Sequence, residues 1–291
     1  MTQDTAFDAW LARQHARANA PPKAAREALR LGTADARIGS VEPALAKRFV
    51  AAGLPLQRGA EGWRVIGAAD AALAQIAGWM NANGLGGRWR DELLSVTDLQ
   101  GRVLGRIERA AVRPLGITTF AVHLVAHAEQ GGTWVQQRAL DKATDPGLWD
   151  TVMGGLVAGG ESVMQALERE TWEEAGVRVA ELRGVAALGR ITIRRPVDAY
   201  GYMVEQIDVV EAVVPAGVVP ENQDGEGERV ERVAQADLRE RLLRGEFPLE
   251  ASLILARCLQ PTGVQLEPLS RFATQVSQRD PGTRPRAPAD R

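Results

Sequence analysis

One stretch limits what this chain can be more than any other: Gly155 to Val177, reading GLVAGGESVMQALERETWEEAGV. A glycine-rich loop there runs into a carboxylate-dense helix. At 3.6 residues per turn, Glu170, Glu173 and Glu174 stand at i, i+3 and i+4, so their carboxylates share one helix face. Three like charges on one face repel, and a hard divalent cation that keeps several waters and gathers substrate phosphates is the natural counter-charge. Val163, Leu167, Thr171 and Ala175 repeat every four residues and form the stripe that holds the helix against a sheet. Gly176 is expected to stop the helix. The loop Gly154–Gly160 lets backbone approach a ligand closely, and the free N–H groups of the first turn favour anions.

Composition sets outer bounds. The chain has 291 residues and is 45% hydrophobic, enough for one large or two smaller cores. Lys plus Arg number 35 against 37 for Asp plus Glu, so a net charge of −2 gives no bulk attraction for nucleic acid or an anionic membrane. A single cysteine, Cys258, excludes an intrachain disulfide, and no run is apolar enough to suggest a membrane span. A cytoplasmic protein acting on a small molecule, with no nucleic-acid or membrane partner, is the expectation.

Read in order, the segment from Asp4 to Leu31 predicts two helical pieces broken at Pro21-Pro22. A short extended piece follows at Ile38–Val41, then a helix over 44–52, a strand at Trp63–Ile66 and a helix over 69–81. No cluster with ligand spacing occurs in this region, which is expected to shape a substrate site or to pair two copies as a homodimer. His15 reads as a solvated helix residue. Two hairpins are predicted next, Leu93–Thr97 with Val103–Ile107, and Thr119–His127 with Thr133–Arg138. His123 and His127 mimic a metal pair, yet on a strand they read as structural residues. Short strands are expected at Val185–Leu188, Thr192-Ile193, Tyr200–Val204 and Ile207–Val210. An acidic loop at 219–228, helices at 236–243 and 249–259, and a frayed tail over 261–291 complete the reading.

The whole pattern around Gly155 resembles the Nudix box, G-x5-E-x7-R-E-U-x-E-E-x-G-U, with every fixed position matched and Thr171 at the first aliphatic position. The resemblance implies an α/β fold, a Nudix α/β/α sandwich with a mixed β-sheet, preceded by a small α+β domain. The expected division is 1–112 for the amino-terminal domain, 113–260 for the Nudix domain and 261–291 for a flexible tail. It implies hydrolysis of a phosphoric anhydride by water, with Mg²⁺, or Mn²⁺ as substitute, held by Glu170, Glu173, Glu174 and the carbonyl of Gly155. Arg169 would orient the carboxylates, while Glu161 and Gly176 would be structural. The base is open between Glu170 and a later loop carrying Glu226 and Glu228. Phe120, Trp149, Tyr200 and Tyr202 are candidates to stack on a substrate ring.

Flanking stretches narrow the resemblance. Arg88–Glu92, Ile107–Ala111, Gly116–His123, Lys142 with Pro146–Asp150, and Asp224–Glu226 are similar to Nudix proteins with a conserved amino-terminal domain, related to the Nudix part of fusions with thiamine pyrophosphokinase. That subgroup implies thiamine diphosphate, or its oxidised or oxy- analogues, as substrate. Three alternatives stay open. One is a pyrophosphatase of nucleoside-diphosphate derivatives such as ADP-ribose, a dinucleotide or a nucleoside triphosphate. Another is an enzyme like isopentenyl diphosphate isomerase, which needs a cysteine ahead of the box, where this chain has none. The last is a non-catalytic Nudix module that binds a ligand.

Overall fold

The computed structural model describes residues 3–142, 144–197 and 201–268. The first half contains α1 (Gln3–Ala18), β1 (Glu27–Leu31), β2 (Ala36–Val41), α2 (Pro43–Ala51), β3 (Leu56–Gly59), β4 (Gly62–Val65), α3 (Ala69–Ala82) and the hairpin of β5 (Leu93–Thr97) and β6 (Val103–Glu108). The second contains β7 (Thr118–Ala128), β8 (Thr133–Arg138), β9 (Trp149–Thr151), β10 (Met153–Leu156), α4 (Val163–Ala175), β11 (Arg183–Pro196), β12 (Tyr202–Val214), β13 (Gly227–Val233), α5 (Gln235–Leu243) and α6 (Leu249–Leu259).

Two larger sheets organise the molecule. The first has strand order β2-β1-β4-β3, with β1 and β4 parallel and the other pairs antiparallel. The second has order β11-β12-β7-β8-β13, with β10 added to β7 and β9 to β8. It is mixed, because β12 runs parallel to β7 along the whole of β7.

The sequence of β7 explains why that sheet is covered on both faces. An apolar strand with no polar face must be buried on both sides. Val122 and Leu124 point into the core beneath α4, whereas Ala121 and Val125 point into the core beneath α6. Helices on both faces of a mixed sheet give the expected α/β/α sandwich, and the first sheet with α2 and α3 forms the α+β region ahead of it.

Three sequence readings need correction. The helical piece expected around Ala24–Leu31 is strand β1. It lies between β2 and β4, where Leu29 and Leu31 are buried, and tertiary pairing overrides the helix preference of an Ala- and Arg-rich run. The short strands expected between Val185 and Val210 are two long paired strands, β11 and β12, with bulges near Arg183 and Gly189. The acidic loop expected over 219–228 already enters β13 at Gly227, which pairs with β8. Of the tail, residues 269–291 lie outside the described residues, as does Tyr200.

Helix α1 lies mainly against α6 and β11. Phe7 and Trp10 stack at 5.1 Å and are buried in the core that α6 shares with β12. His15 is half-buried, with Nε2 3.2 Å from the Gly263 carbonyl oxygen, and so is not the freely solvated residue expected. Phe7→Ala should destabilise the protein by about 3–5 kcal/mol through the cavity it leaves. Urea unfolding followed by tryptophan fluorescence measures this, and a value within experimental error of wild type would show that α1 is not part of this core.

Candidate active site

The box helix is set by local chemistry at both ends. At its start the Ser162 hydroxyl accepts from Gln165 N (3.2 Å), while the Gln165 side chain accepts from Ser162 N (2.8 Å), a reciprocal capping pair. At its end Gly176 adopts φ 61°, the left-handed geometry of a helix stop. Gly176 serves a second purpose. A Cβ there would meet the Glu221 carbonyl at 2.8 Å and the Gln223 amide at 2.7 Å, so its bare Cα lets the later acidic loop close on the helix. Glu221 N donates to Ala175 O (2.9 Å) and Gln223 N to Glu173 O (2.8 Å).

That docking brings two distant stretches together. Carboxylate oxygens of Glu174, Asp224 and Glu226 lie within 4.8 Å of one another. Glu174 is buried and accepts a hydrogen bond from Gly154 N at 2.9 Å. Burial pushes its carboxyl well above the usual range, opposed by the Gly154 N–H and reinforced by the charges of Glu170 and Asp150. Burial likewise raises Glu170, against the hydrogen bond from Arg169, and Glu173 and Glu226 add to the rise. Glu226 also suffers burial, yet its ion pair with Lys142 and the charges of Arg109 and Arg90 bring it below its ordinary value. Crowded carboxylates, of which Glu170 and Glu174 are held above their ordinary values, are the donor set a hard cation neutralises, so these residues fit a divalent metal.

One guanidinium fixes the geometry. Arg169 Nη2 donates to Glu161 Oε2 (2.9 Å) and to the Leu156 carbonyl (3.2 Å), while Nη1 donates to Glu170 Oε1 (2.7 Å) and Glu173 Oε2 (3.2 Å). Arg169 therefore ties the helix to the glycine-rich loop at both levels. Glu161 also accepts from Ala158 N (3.1 Å), and against the cost of burial Arg169 holds its carboxyl low. Two glycines make room. A Cβ on Gly155 would overlap the Glu170 carboxylate, and one on Gly154 would overlap the His123 ring.

Sequence reasoning and structure differ in particulars. Glu174 belongs to the Glu174, Asp224 and Glu226 group, whereas Glu170 and the more exposed Glu173 are both held by Arg169 outside it, with the charge of Glu226 still felt at Glu170. Glu228 accepts from Leu140 N (3.3 Å) and is likewise outside it. Asp224 and Lys142 carry the subgroup resemblance in the sequence but have no site role assigned there. The signal available for Asp224 was a second acid two residues ahead of Glu226, but no sequence pattern says which acid of a loop faces a helix 50 residues away. His123 is buried, its Nδ1 is 2.8 Å from Thr151 Oγ1, and burial lowers its pKa, consistent with a structural role.

The aromatic candidates separate. Trp149 is 7% exposed, in the core, with the guanidiniums of Arg229 and Arg241 at 5.0 and 5.1 Å from its ring, so the stacking role expected of it is corrected. Phe120 and Tyr202 line a cavity on the α4 face of the sheet. A smaller polar pocket of about 300 Å³ on the opposite face, lined by Gly154, Asp150, His123, Arg138, Glu205 and Glu250 among others, adjoins Glu174 through the shared Gly154.

Residues 118–253 match the NUDIX domain. Isopentenyl-diphosphate Delta-isomerase of Streptomyces coelicolor is 30% identical over 157 residues, 53% of this chain and 77% of that protein. The chain belongs to the Nudix superfamily. An uncharacterized Nudix hydrolase of Pseudomonas aeruginosa is 39% identical over 92 residues, 32% of this chain and 54% of that relative. Nudix hydrolase 20 of Arabidopsis thaliana, a chloroplastic protein, is 30% identical over 162 residues, 54% of this chain and 43% of its own. The chain thus spans about half or less of the length of these two Nudix relatives.

Because Arg169 positions two carboxylates without being replaceable by a point charge, Arg169→Lys should weaken divalent-metal binding about 10–100-fold. Gly155→Ala, which forces Glu170 aside, should do at least as much. Calorimetric titration with Mg²⁺ and Mn²⁺ checks both, with circular dichroism confirming that the fold survives; unchanged metal affinity would show that the Arg169 contacts do not matter to the site.

Proposed function

We propose that the chain is a Mg²⁺-dependent diphosphohydrolase that cleaves a phosphoric anhydride by attack of water. The observation that carries this reading is the convergence of Glu174, Asp224 and Glu226, with Glu170 close enough for its charge to act on Glu174. Bound Mg²⁺, or Mn²⁺ in its place, supplies neutralisation of the diphosphate charge.

The chain's own residues do the rest. Gly154 N–H fixes one oxygen of Glu174, and Arg169 fixes Glu170, so the carboxylates meet the substrate already oriented. Lys142, paired with Glu226 at the rim, is placed to receive a phosphate oxygen. Water attacks one phosphorus, the bond from that phosphorus to the bridging oxygen breaks, and the proton passes to a carboxylate. Glu170 and Glu226 remain the two bases, and the low set of Glu226 beside Lys142 favours it as the ionised proton acceptor.

For the substrate, thiamine diphosphate or its oxidised or oxy- analogues, hydrolysed to monophosphates, is the reading supported by the flanking motifs. The pocket of about 300 Å³ that shares Gly154 with the Glu174 hydrogen bond is at the small end for ligand sites and suits one or two small rings. The division into an amino-terminal module and a Nudix domain near residue 112 is supported by separate cores, except that α1 packs with the Nudix body.

The isomerase relative favours a second reading, against which Cys258 stands. The one cysteine lies on α6, its thiol directed 4.0 Å from the Ile254 carbonyl and pushed up by burial to about 12. A native Cys258 should react with a thiol reagent at pH 8 far more slowly than the urea-unfolded chain, with activity unaffected; inactivation by alkylation would restore the isomerase reading.

The decisive assay is phosphate-ester release by pure protein with Mg²⁺ over thiamine diphosphate, oxythiamine diphosphate, ADP-ribose, NADH and nucleoside triphosphates. Preferred cleavage of the thiamine compounds, reduced at least about 100-fold in Glu174→Gln, is the expected result. Cleavage of nucleotides alone would sink the thiamine assignment and keep the hydrolase; turnover indifferent to Glu174→Gln would sink the site.

A further inference from the structure

The cavity on the α4 face takes no part in the proposed reaction. It measures about 1130 Å³ and opens at the seam between the two larger sheets. Strand β2 and the β5–β6 turn line one side, and β7, β11 and β12 line the other, so neither half of the chain makes it alone.

Its charges do not balance. Each acidic residue on its wall already has partners in the chain. Asp98 accepts from Gln100 N and Arg102 N (both 2.9 Å) and from Arg102 Nε (2.7 Å). Glu161 is held by Arg169, and Asp208 accepts two bonds from Arg190, at 2.5 and 2.9 Å. Arg26 is anchored on Ser40 O (2.5 Å) and Pro114 O (2.6 Å). By contrast, the side chains of Lys23, Arg37 and Arg194 line the cavity with no hydrogen bond or ion pair among the described residues. All three are exposed at its mouth, where a multivalent anion can pair with them.

The remaining wall is aromatic and apolar. Phe120 and Tyr202 are both half-buried in it, with Val157 and Val204 nearby, and Arg26 stands 5.9 Å from the Tyr202 ring. The first turn of α4, at Ser162 and Val163, also faces it and adds a positive helix terminus.

We propose that this seam cavity is a second ligand site, for a phosphorylated compound carrying an aromatic ring, whose anionic groups pair with Lys23, Arg37 and Arg194 and whose ring rests on Phe120 and Tyr202. The site is separate from the metal cluster: none of Glu170, Glu174, Asp224 or Glu226 lines it. It is nonetheless linked to that cluster, because Glu161 lines the cavity, its carboxylate holds Arg169, and Arg169 holds Glu170. Occupancy that shifts Glu161 changes metal affinity, and metal changes ligand affinity by the same factor.

The test uses the full chain and does not depend on turnover. AMP, a ring with one phosphate, is titrated calorimetrically in EDTA into wild type, Glu174→Gln, and the double variant Arg37→Ala/Arg194→Ala, with adenosine and inorganic phosphate as separate probes. The expected result is AMP binding of similar strength in wild type and Glu174→Gln, weakened at least about tenfold in the double variant and by added salt. Adenosine and phosphate should each bind more weakly than AMP. The proposal is overturned by AMP binding that Glu174→Gln abolishes, by binding indifferent to the double substitution, or by no binding to wild type at about 1 mM, the weak limit of a specific site. Circular dichroism excludes misfolding as the source of loss, and Arg37→Lys/Arg194→Lys, which keeps both charges, should retain most of the affinity.

Discussion

The Arg169 guanidinium is the contact on which the rest of the site depends. A planar group with five donors can serve three carboxylates and a carbonyl at once, and here it reaches Glu161 at the start of the motif, the Leu156 carbonyl in the loop, and Glu170 and Glu173 on its own helix. Without such a clamp, the carboxylates would spread away from one another. With it, Glu170 is held over the bare Cα of Gly155, and the loop and helix behave as one piece.

The second constraint is the closure of the acidic loop on Gly176. Helix stop and loop anchor are the same residue, since the missing Cβ both permits φ 61° and admits Glu221 and Gln223. The cluster of Glu174, Asp224 and Glu226 follows from those two backbone hydrogen bonds, not from any attraction among the acids, which repel.

Much of this was legible in the sequence, for local reasons. The helix from Val163 to Ala175, its apolar stripe, its stop at Gly176 and the Arg169 contacts follow from short-range spacing. The mixed sheet followed from the resemblance of the box; the hairpin signals foretold the antiparallel pair of β7 and β8 but not the parallel pair of β7 and β12. What was not legible is long-range. Nothing in residues 24–31 says that they will be gripped between two strands, and an alternation as weak as that of β11 hides a long strand among apparent turns. The place of Asp224 opposite Glu174, and of Trp149 between two arginines rather than in a pocket, depends on packing that only the folded chain defines.

The pairing of β10 with β7 carries a consequence for how such a fold tolerates change. Gly154 faces His123 on one side of the sheet and Gly155 faces Glu170 on the other, because successive residues of a strand point to opposite faces. A slip of one residue would present each glycine to the wrong neighbour and put side chains where two rigid groups already stand. The segment ahead of Met153 can therefore lengthen or shorten to suit a different ligand only if the added or lost residues are absorbed before the strand begins. Register, more than residue identity, is what divergence in this loop has to preserve.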